Sequence, residues 1–213
     1  MQPFAYHRAA SPHEAISLIS SAAPGARFIA GATTLYDLMK LNVERPTSVI
    51  DIMGLDELRG INTSGREQLV FGALAPMADV ASNERVVREY PALSESLWKA
   101  ASQQLRNMAT VGGNLLQRTR CGYFRGGEPY PCNKRDPGSG CAAIEGIDRG
   151  HALLGGSAEC IAVYPGDWAV ALAAFDAEID ALSPRGERTI SVEQLYLEPG
   201  PTPQHENIWL TTN

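Results

Sequence analysis

The sequence predicts an α+β fold of two closely packed units, the second carrying a long cysteine-bearing loop. Three observations point there. The first 51 residues alternate strand-like and helix-like segments around a small-residue turn. Short strands and helices are mixed again from about Leu55. Residues 119–149 are rich in Gly, Pro, Asn and Arg and keep no lasting periodicity. A chain of 213 residues suffices for one large domain or two small ones. The expected division is a first unit over 1–54, a second over 55–197 that includes the loop at 119–160, and a linker over 198–213.

In chain order, Ser11-Pro12-His13-Glu14 combines a capping-box pattern with proline at the first helical position. Ala15, Leu18, Ile19 and Ala22 then share one helical face, and Pro24-Gly25 ends the helix. Ala26 to Ala30 is a short apolar run that leads into the turn Gly31-Ala32-Thr33-Thr34. A helix follows from Leu35 to about Leu41, then a strand at Ser48–Asp51. In the second unit, strands are expected at Gly60–Thr63 and Leu69–Phe71. Helices are expected at Asn83–Glu89 and Ala92–Leu105, with Tyr90-Pro91 between them. After the loop come a helix at Asp167–Phe175, strands at Glu178–Leu182 and Arg188–Ile190, and a short helix at Val192–Leu197. The Pro-rich stretch Glu198–Pro203 reads as a linker.

Eighteen Lys and Arg against 24 Asp and Glu give a net charge of −6, which offers no long-range attraction to nucleic acid or an anionic membrane surface. No apolar stretch is long enough to span a bilayer, and the N-terminus lacks the apolar core of a secretory signal. Neither nucleic acid nor membrane is therefore an expected partner.

Two loops have the make-up of anion sites. Phe28 to Leu35 places Gly31, Ala32, Thr33 and Thr34 between a strand and a helix. Small side chains there let backbone amides approach a phosphate, and two hydroxyls stand by. Arg106 to Leu115 contains Gly112-Gly113 flanked by Thr110 and Asn114. Each loop is equally well read as good packing or a tight turn, but two on separate units suit the two ends of an extended dinucleotide. Asp167 begins a helix after Tyr164-Pro165-Gly166, where an acid caps the helix and complements its dipole.

The four cysteines, Cys121, Cys132, Cys141 and Cys160, all fall in less than a fifth of the chain. Clustered thiols in a chain without a signal suit a metal or iron–sulfur centre better than disulfides. No Cys-x-x-Cys pair is present, so the spacing leaves iron–sulfur, zinc and unrelated buried thiols open. Arg118, Arg120, Arg125, Lys134 and Arg135 around them suit charge compensation of a thiolate cluster or a subunit interface. The histidines show no ligand spacing. No Ser-His-Asp or Cys-His arrangement is present, so no catalytic residue is assigned.

At these motifs the sequence resembles the FAD-binding medium subunit of the xanthine dehydrogenase (molybdenum hydroxylase) family. The family's Ala-Gly-Gly-Thr-Asn/Asp-Leu stands here as Ala30-Gly31-Ala32-Thr33-Thr34-Leu35, and its Arg-Asn-x-Ala-Thr-x-Gly-Gly-Asn is matched by Arg106 to Asn114. The segments Asn114 to Cys121, Pro131 to Arg135, Pro137 to Ala143 and Cys160 to Ala162 resemble the aldehyde oxidoreductase branch, whose flavin subunit holds an extra 4Fe–4S cluster.

The resemblance implies a two-subdomain FAD-binding fold of the PCMH/vanillyl-alcohol-oxidase type. Ala30, Gly31, Ala32, Thr33, Thr34, Leu35, Thr110, Gly113, Asn114 and Asp167 would bind FAD, and Cys121, Cys132, Cys141 and Cys160 would ligate the cluster. It also implies a heterotrimer with a large molybdenum-cofactor subunit, which holds the substrate site, and a small subunit with two 2Fe–2S clusters. This chain would pass their electrons to an external acceptor such as oxygen, a quinone or a redox protein. Assembly would be cytoplasmic, with export of the folded complex to the periplasm open through a partner's twin-arginine signal.

Two departures stand out. Ala32 replaces the second family glycine, which is harmless where φ is negative. The family also continues into a C-terminal α/β domain that covers one side of the flavin, whereas Ile208 to Asn213 leaves the pattern. A shortened subunit with weakly held or absent flavin is the expectation. The competing readings are a flavin-poor assembly subunit stapled by its cluster and a zinc-bearing interaction module.

Overall fold

The computed structural model describes residues 1–65, 68–196 and the backbone of 209–212. The first unit is a parallel three-stranded sheet. It runs β1 (Ala5–Arg8), α1 (Pro12–Ser21), β2 (Arg27–Ile29), α2 (Leu35–Lys40), β3 (Ser48–Asp51), with β3 in the centre. Parallel neighbours need crossovers, and the two helices supply them. Ile50 stands opposite His7 on one side and Phe28 on the other and is fully buried, as a central strand of a covered sheet requires. The expected capping holds: Ser11 Oγ accepts from the Glu14 N–H at 3.1 Å, and Glu14 reaches back to the Ala10 N–H at 2.7 Å. Ala15, Ile16 and Ile19 are the buried face of α1. Strand β1 lacks a sequence signal because it is exposed along its whole length.

The second unit opens with a 3₁₀ turn (Asp56–Leu58), β4 (Ile61–Asn62) and β5 (Val70–Phe71). It continues through α3 (Met77–Ser82), α4 (Glu84–Glu89), α5 (Pro91–Trp98), α6 (Gln103–Met108), α7 (Val111–Leu115) and α8 (Gly122–Arg125). After the loop follow α9 (Asp167–Ala173), β6 (Glu178–Ser183), β7 (Gly186–Ser191), α10 (Val192–Leu195) and β8 (Trp209–Thr212). The strands form an antiparallel sheet in the order β4-β5-β8-β6-β7. Helices α3, α4, α5, α7 and α9 close over Phe71, Val80, Leu97, Val111, Leu172 and Ile179. Trp168 sits at the centre, 5.9 Å from the Phe71 ring in an edge-on contact.

The helix expected over 92–105 is two helices. Alpha-helix α5 stops at Trp98, Ala101 takes φ +50°, and Ser102 caps α6 by accepting from the Leu105 N–H at 3.3 Å. Helix α6 buries Arg106 and leaves Leu105 and Met108 exposed, so the apolar residues after Ala101 belong to no continuation of the α5 face, which pattern alone does not reveal. The linker expected over 198–213 is also corrected in part. Trp209–Thr212 pairs with β6 and, at Thr212, with β5, while 197–208 lie outside the described residues. No helix among the described residues is long and apolar enough to cross a membrane.

The units share a boundary rather than a hinge. Leu74 and Leu182 of the second unit pack into the cluster formed by Ala15, Ile19, Ile50 and Ile52 of the first. A cleft opens beside this contact.

Candidate functional site

The cleft has a volume of about 900 Å³. That lies within the range of cavities that hold cofactor-sized ligands. Ala30, Gly31, Ala32, Thr33, Thr34, Leu35, Thr110, Gly113, Asn114 and Asp167, read from the sequence as binding residues, all line it. Residues far apart in the chain thus meet in one concavity.

The first wall is the turn from β2 into α2. Gly31 is pressed so closely against the Met108 carbonyl that any Cβ would collide with it, and this contact brings the two sequence motifs together. Ala32 stands at φ +61°, in the left-handed region that suits glycine, so its replacement of the family glycine is a strained one. Among the described residues, no backbone hydrogen bond uses the N–H groups of Gly31 to Thr34, and Thr34 makes no side-chain cap to α2. Unpaired and in a segment of small residues that lines the cleft, these amides suit an anion.

The second wall is not the tight turn read from Gly112-Gly113 but the first turn of a short helix. The Thr110 hydroxyl accepts from the Gly113 N–H at 3.1 Å and is thereby committed to capping α7. A Cβ on Gly112 would lie 2.9 Å from the Ala73 carbonyl, while the Val111 and Gly112 amides bond Ala75 and Ala73 at 3.0 Å each. The glycine pair therefore lets α7 lie flat on residues 73–75. Arg106, also in this motif, is buried. It donates to the Ala100 and Ala101 carbonyls at 3.0 and 2.9 Å, holding the break between α5 and α6.

Asn114 is fixed from two sides: its amide donates to Met77 Sδ at 3.5 Å, and the Tyr164 hydroxyl meets its Oδ1 at 2.9 Å. The Tyr164 ring packs 4.5 Å from that of Tyr196, tilted by 40°, and the Tyr196 hydroxyl donates to the Leu115 carbonyl at 2.9 Å. Burial pushes the pKa of both tyrosines up. Beyond Tyr164, Gly166 leaves no room for a Cβ, and Asp167 opens α9 at the cleft wall.

Sequence reasoning missed several cleft residues: Glu44, Lys99, Gln117, and Arg118 and Arg120 in this role. Glu44 is a bridging carboxylate that pairs with Arg27 at 3.4 Å and Arg118 at 2.9 Å. Lys99 pairs with Glu95. Arg120 donates to the neutral Gln117 side chain at 3.0 Å, and burial, with Arg125 nearby, lowers its pKa. No sequence pattern marks these, because their place in the cleft comes from how the second unit folds back.

All four cysteines are free thiols. Cys132 is buried against Leu38 of α2 and Phe124, with Cys121 and Val43 at the edge. Cys132 and Cys141 face each other across an antiparallel bridge. Burial raises the pKa of the Cys160 thiol, with Cys141 and Cys132 adding repulsion, while a backbone hydrogen bond at Ala162 and Lys134 oppose the shift. Cys121, Cys132 and Cys141 thus neighbour one another in pairs, and none of the four lines the cleft. Among the described residues, however, no three His, Cys, Asp or Glu side chains stand in a metal-holding arrangement.

The model of the family described as the FAD binding domain in molybdopterin dehydrogenase matches residues 2–211. The chain belongs to that family. It is 49% identical over 213 residues to the aldehyde oxidoreductase FAD-binding subunit PaoB of Escherichia coli, covering 99% of this chain and 65% of that protein. It is 36% identical over 112 residues to the carbon monoxide dehydrogenase medium chain of Hydrogenophaga pseudoflava, covering 53% of this chain and 39% of that one. A solved structure of carbon monoxide dehydrogenase from the same organism superposes with a TM-score of 0.69 at 24% identity. It covers the whole of this chain and 59% of that one, a likeness of fold. The two-subdomain FAD-binding fold expected from the motifs is therefore the fold of this chain. The family match through 211 also takes in most of the C-terminal stretch read as off-pattern. The chain spans about two-thirds (65%) or less of the curated relatives named here.

Proposed function

We propose that this chain is the FAD- and 4Fe–4S-carrying electron-transfer subunit of a molybdenum-dependent aldehyde oxidoreductase. One observation carries the flavin half: ten residues from three separate segments line a single cleft of about 900 Å³ whose first wall presents unpaired amides. The relative named an aldehyde oxidoreductase FAD-binding subunit supports the choice of complex. The cleft fits the cofactor in volume and in donors.

Within it, the amides of Gly31 to Thr34 face the phosphates, and Arg120, which closes no salt bridge among the described residues, adds a positive charge. Thr110 and Gly113 shape the wall through the α7 cap, and Asn114 is held in place by Tyr164 and Met77. Asp167 supplies a carboxylate at the far wall. Bound flavin supplies the exchange between one-electron and two-electron chemistry, and a cluster on the four thiols supplies one-electron transfer. The protein's part is to hold both at opposite sides of α2. Partners are a large molybdenum-cofactor subunit bearing the substrate site and a small 2Fe–2S subunit, with an external acceptor receiving the electrons. We place assembly in the cytoplasm, with periplasmic export on a partner's signal.

The left-handed backbone at Ala32 favours a second reading, in which flavin is held weakly and the chain serves as an assembly subunit stapled by its cluster. The visible absorption spectrum of the purified chain, with iron, zinc and acid-released flavin quantified on the same sample, separates them. About four irons and one FAD per chain are expected. Iron without flavin turns the assignment to the assembly role, zinc alone turns it to an interaction module, and a chain with no iron, zinc or flavin sinks it.

A further inference from the structure

We infer that Tyr164 is a positioning residue for the flavin: its one hydroxyl sets which way the side-chain amides of Asn114 and Gln117 are oriented at the cleft. The assignment rests on the flavin reading above. The Tyr164 hydroxyl donates to Asn114 Oδ1 at 2.9 Å and to the Asn114 carbonyl at 3.1 Å, and it accepts from Gln117 Nε2 at 3.4 Å. Gln117 Oε1 in turn accepts from the Arg120 guanidinium at 3.0 Å. Donors and acceptors therefore run in one direction, from Arg120 through Gln117 and Tyr164 to Asn114. Asn114, Gln117 and Arg120 all line the cleft. A Cβ on Gly166 would collide with both the Tyr164 hydroxyl and Gln117 Nε2, so glycine lets the segment leading to Asp167 close over this relay.

The chemistry makes the direction matter. A side-chain amide can turn over and exchange its oxygen for its NH₂ group unless its neighbours fix it. A guanidinium only donates, so Arg120 holds Gln117 Oε1 and leaves Nε2 for Tyr164. The hydroxyl has a single proton, and accepting from Gln117 directs that proton to Asn114. Asn114 Oδ1 is then occupied, and one of its two amide protons is on Met77 Sδ at 3.5 Å. The second amide proton is what Asn114 has left to offer. Toward a ligand it is a donor, which suits the carbonyl and phosphate oxygens of FAD.

The test is a double-mutant cycle on FAD affinity. The full chain freed of flavin, Tyr164→Phe, Asn114→Ala and the double variant are each titrated with FAD and followed by quenching of flavin fluorescence. Tyr164→Phe removes the hydroxyl and keeps the ring against Tyr196. It is expected to raise the dissociation constant about 3- to 10-fold, the loss of one neutral hydrogen bond. In the Asn114→Ala background the same change is expected to act by less than about 2-fold, because the group it positions is gone. A hydroxyl that only supported the fold weakens FAD by the same factor in both backgrounds, and that result overturns the inference. So does a Tyr164→Phe chain that binds FAD as tightly as the unsubstituted one. Gln117→Met reaches the relay from its other end with the tyrosine in place and is also expected to weaken FAD. Unchanged binding there overturns the inference even where Tyr164→Phe does not fold. An unsubstituted chain that binds no FAD overturns the flavin reading and this inference with it.

Discussion

At the scale of single residues, Ala32 is the most informative position. Its φ of +61° is a conformation that L-residues enter at a cost of about 1–2 kcal/mol, and glycine enters freely. Glycine's larger entropy loss on folding offsets part of this. Ala32→Gly is therefore expected to stabilise the chain by about 0.5–1 kcal/mol, read as a raised thermal midpoint. A lowered midpoint contradicts the backbone geometry. Sequence comparison with the family motif marks this position as unusual, but only the backbone angle turns the difference into strain. Thr110 shows the reverse. Its hydroxyl looks free in the sequence, and the fold commits it to the Gly113 amide.

At the scale of elements, short helices are tied by buried polar contacts more than by their own propensity. Tyr164 and Tyr196 join α7, the start of α9 and the end of α10 through Asn114 and Leu115. Burial raises the pKa of both above the ordinary value of 10.0. Below about pH 10 neither folded nor unfolded chain loses these protons, so the tie is fully present. Above it the unfolded chain releases protons that the folded chain keeps, and stability falls with rising pH. Urea midpoints followed through the alkaline range are expected to drop, with a shallower slope in Tyr196→Phe. A pH-independent midpoint removes the buried-tyrosine account. The helix start at Ser11 was legible because capping is local chemistry. The break at Ala101 was not, because the buried Arg106 that holds it donates to carbonyls five and six residues earlier.

At the scale of the whole molecule, α2 is the part that the cleft and the cysteine loop share. Its N-terminal side follows the amide-bearing turn, Asp37 pairs with Arg125, and Leu38 is buried against Phe124 and Cys132. Leu38→Ala leaves a cavity between cleft and cysteine loop. It is expected to destabilise the chain by about 2–5 kcal/mol. In the iron-free chain the buried Cys132 is also expected to react faster with a thiol reagent, which mass-resolved labelling of Cys132 measures. Unchanged labelling with lowered stability confines the effect of Leu38 to its own helix.

The sequence by itself determined the elements with local signals, the two small-residue loops and the clustering of the thiols, because caps, small-residue turns and residue types act over a few positions. The tertiary structure decided the rest. It made Gly31 and Met108 neighbours, gave Glu44 two arginine partners, turned Arg120 into the cleft and set Asn133 between the cysteine segments. Most of these are contacts between residues distant along the chain. Such contacts form only when burial of the two apolar clusters brings the segments together, and no window of sequence contains both partners.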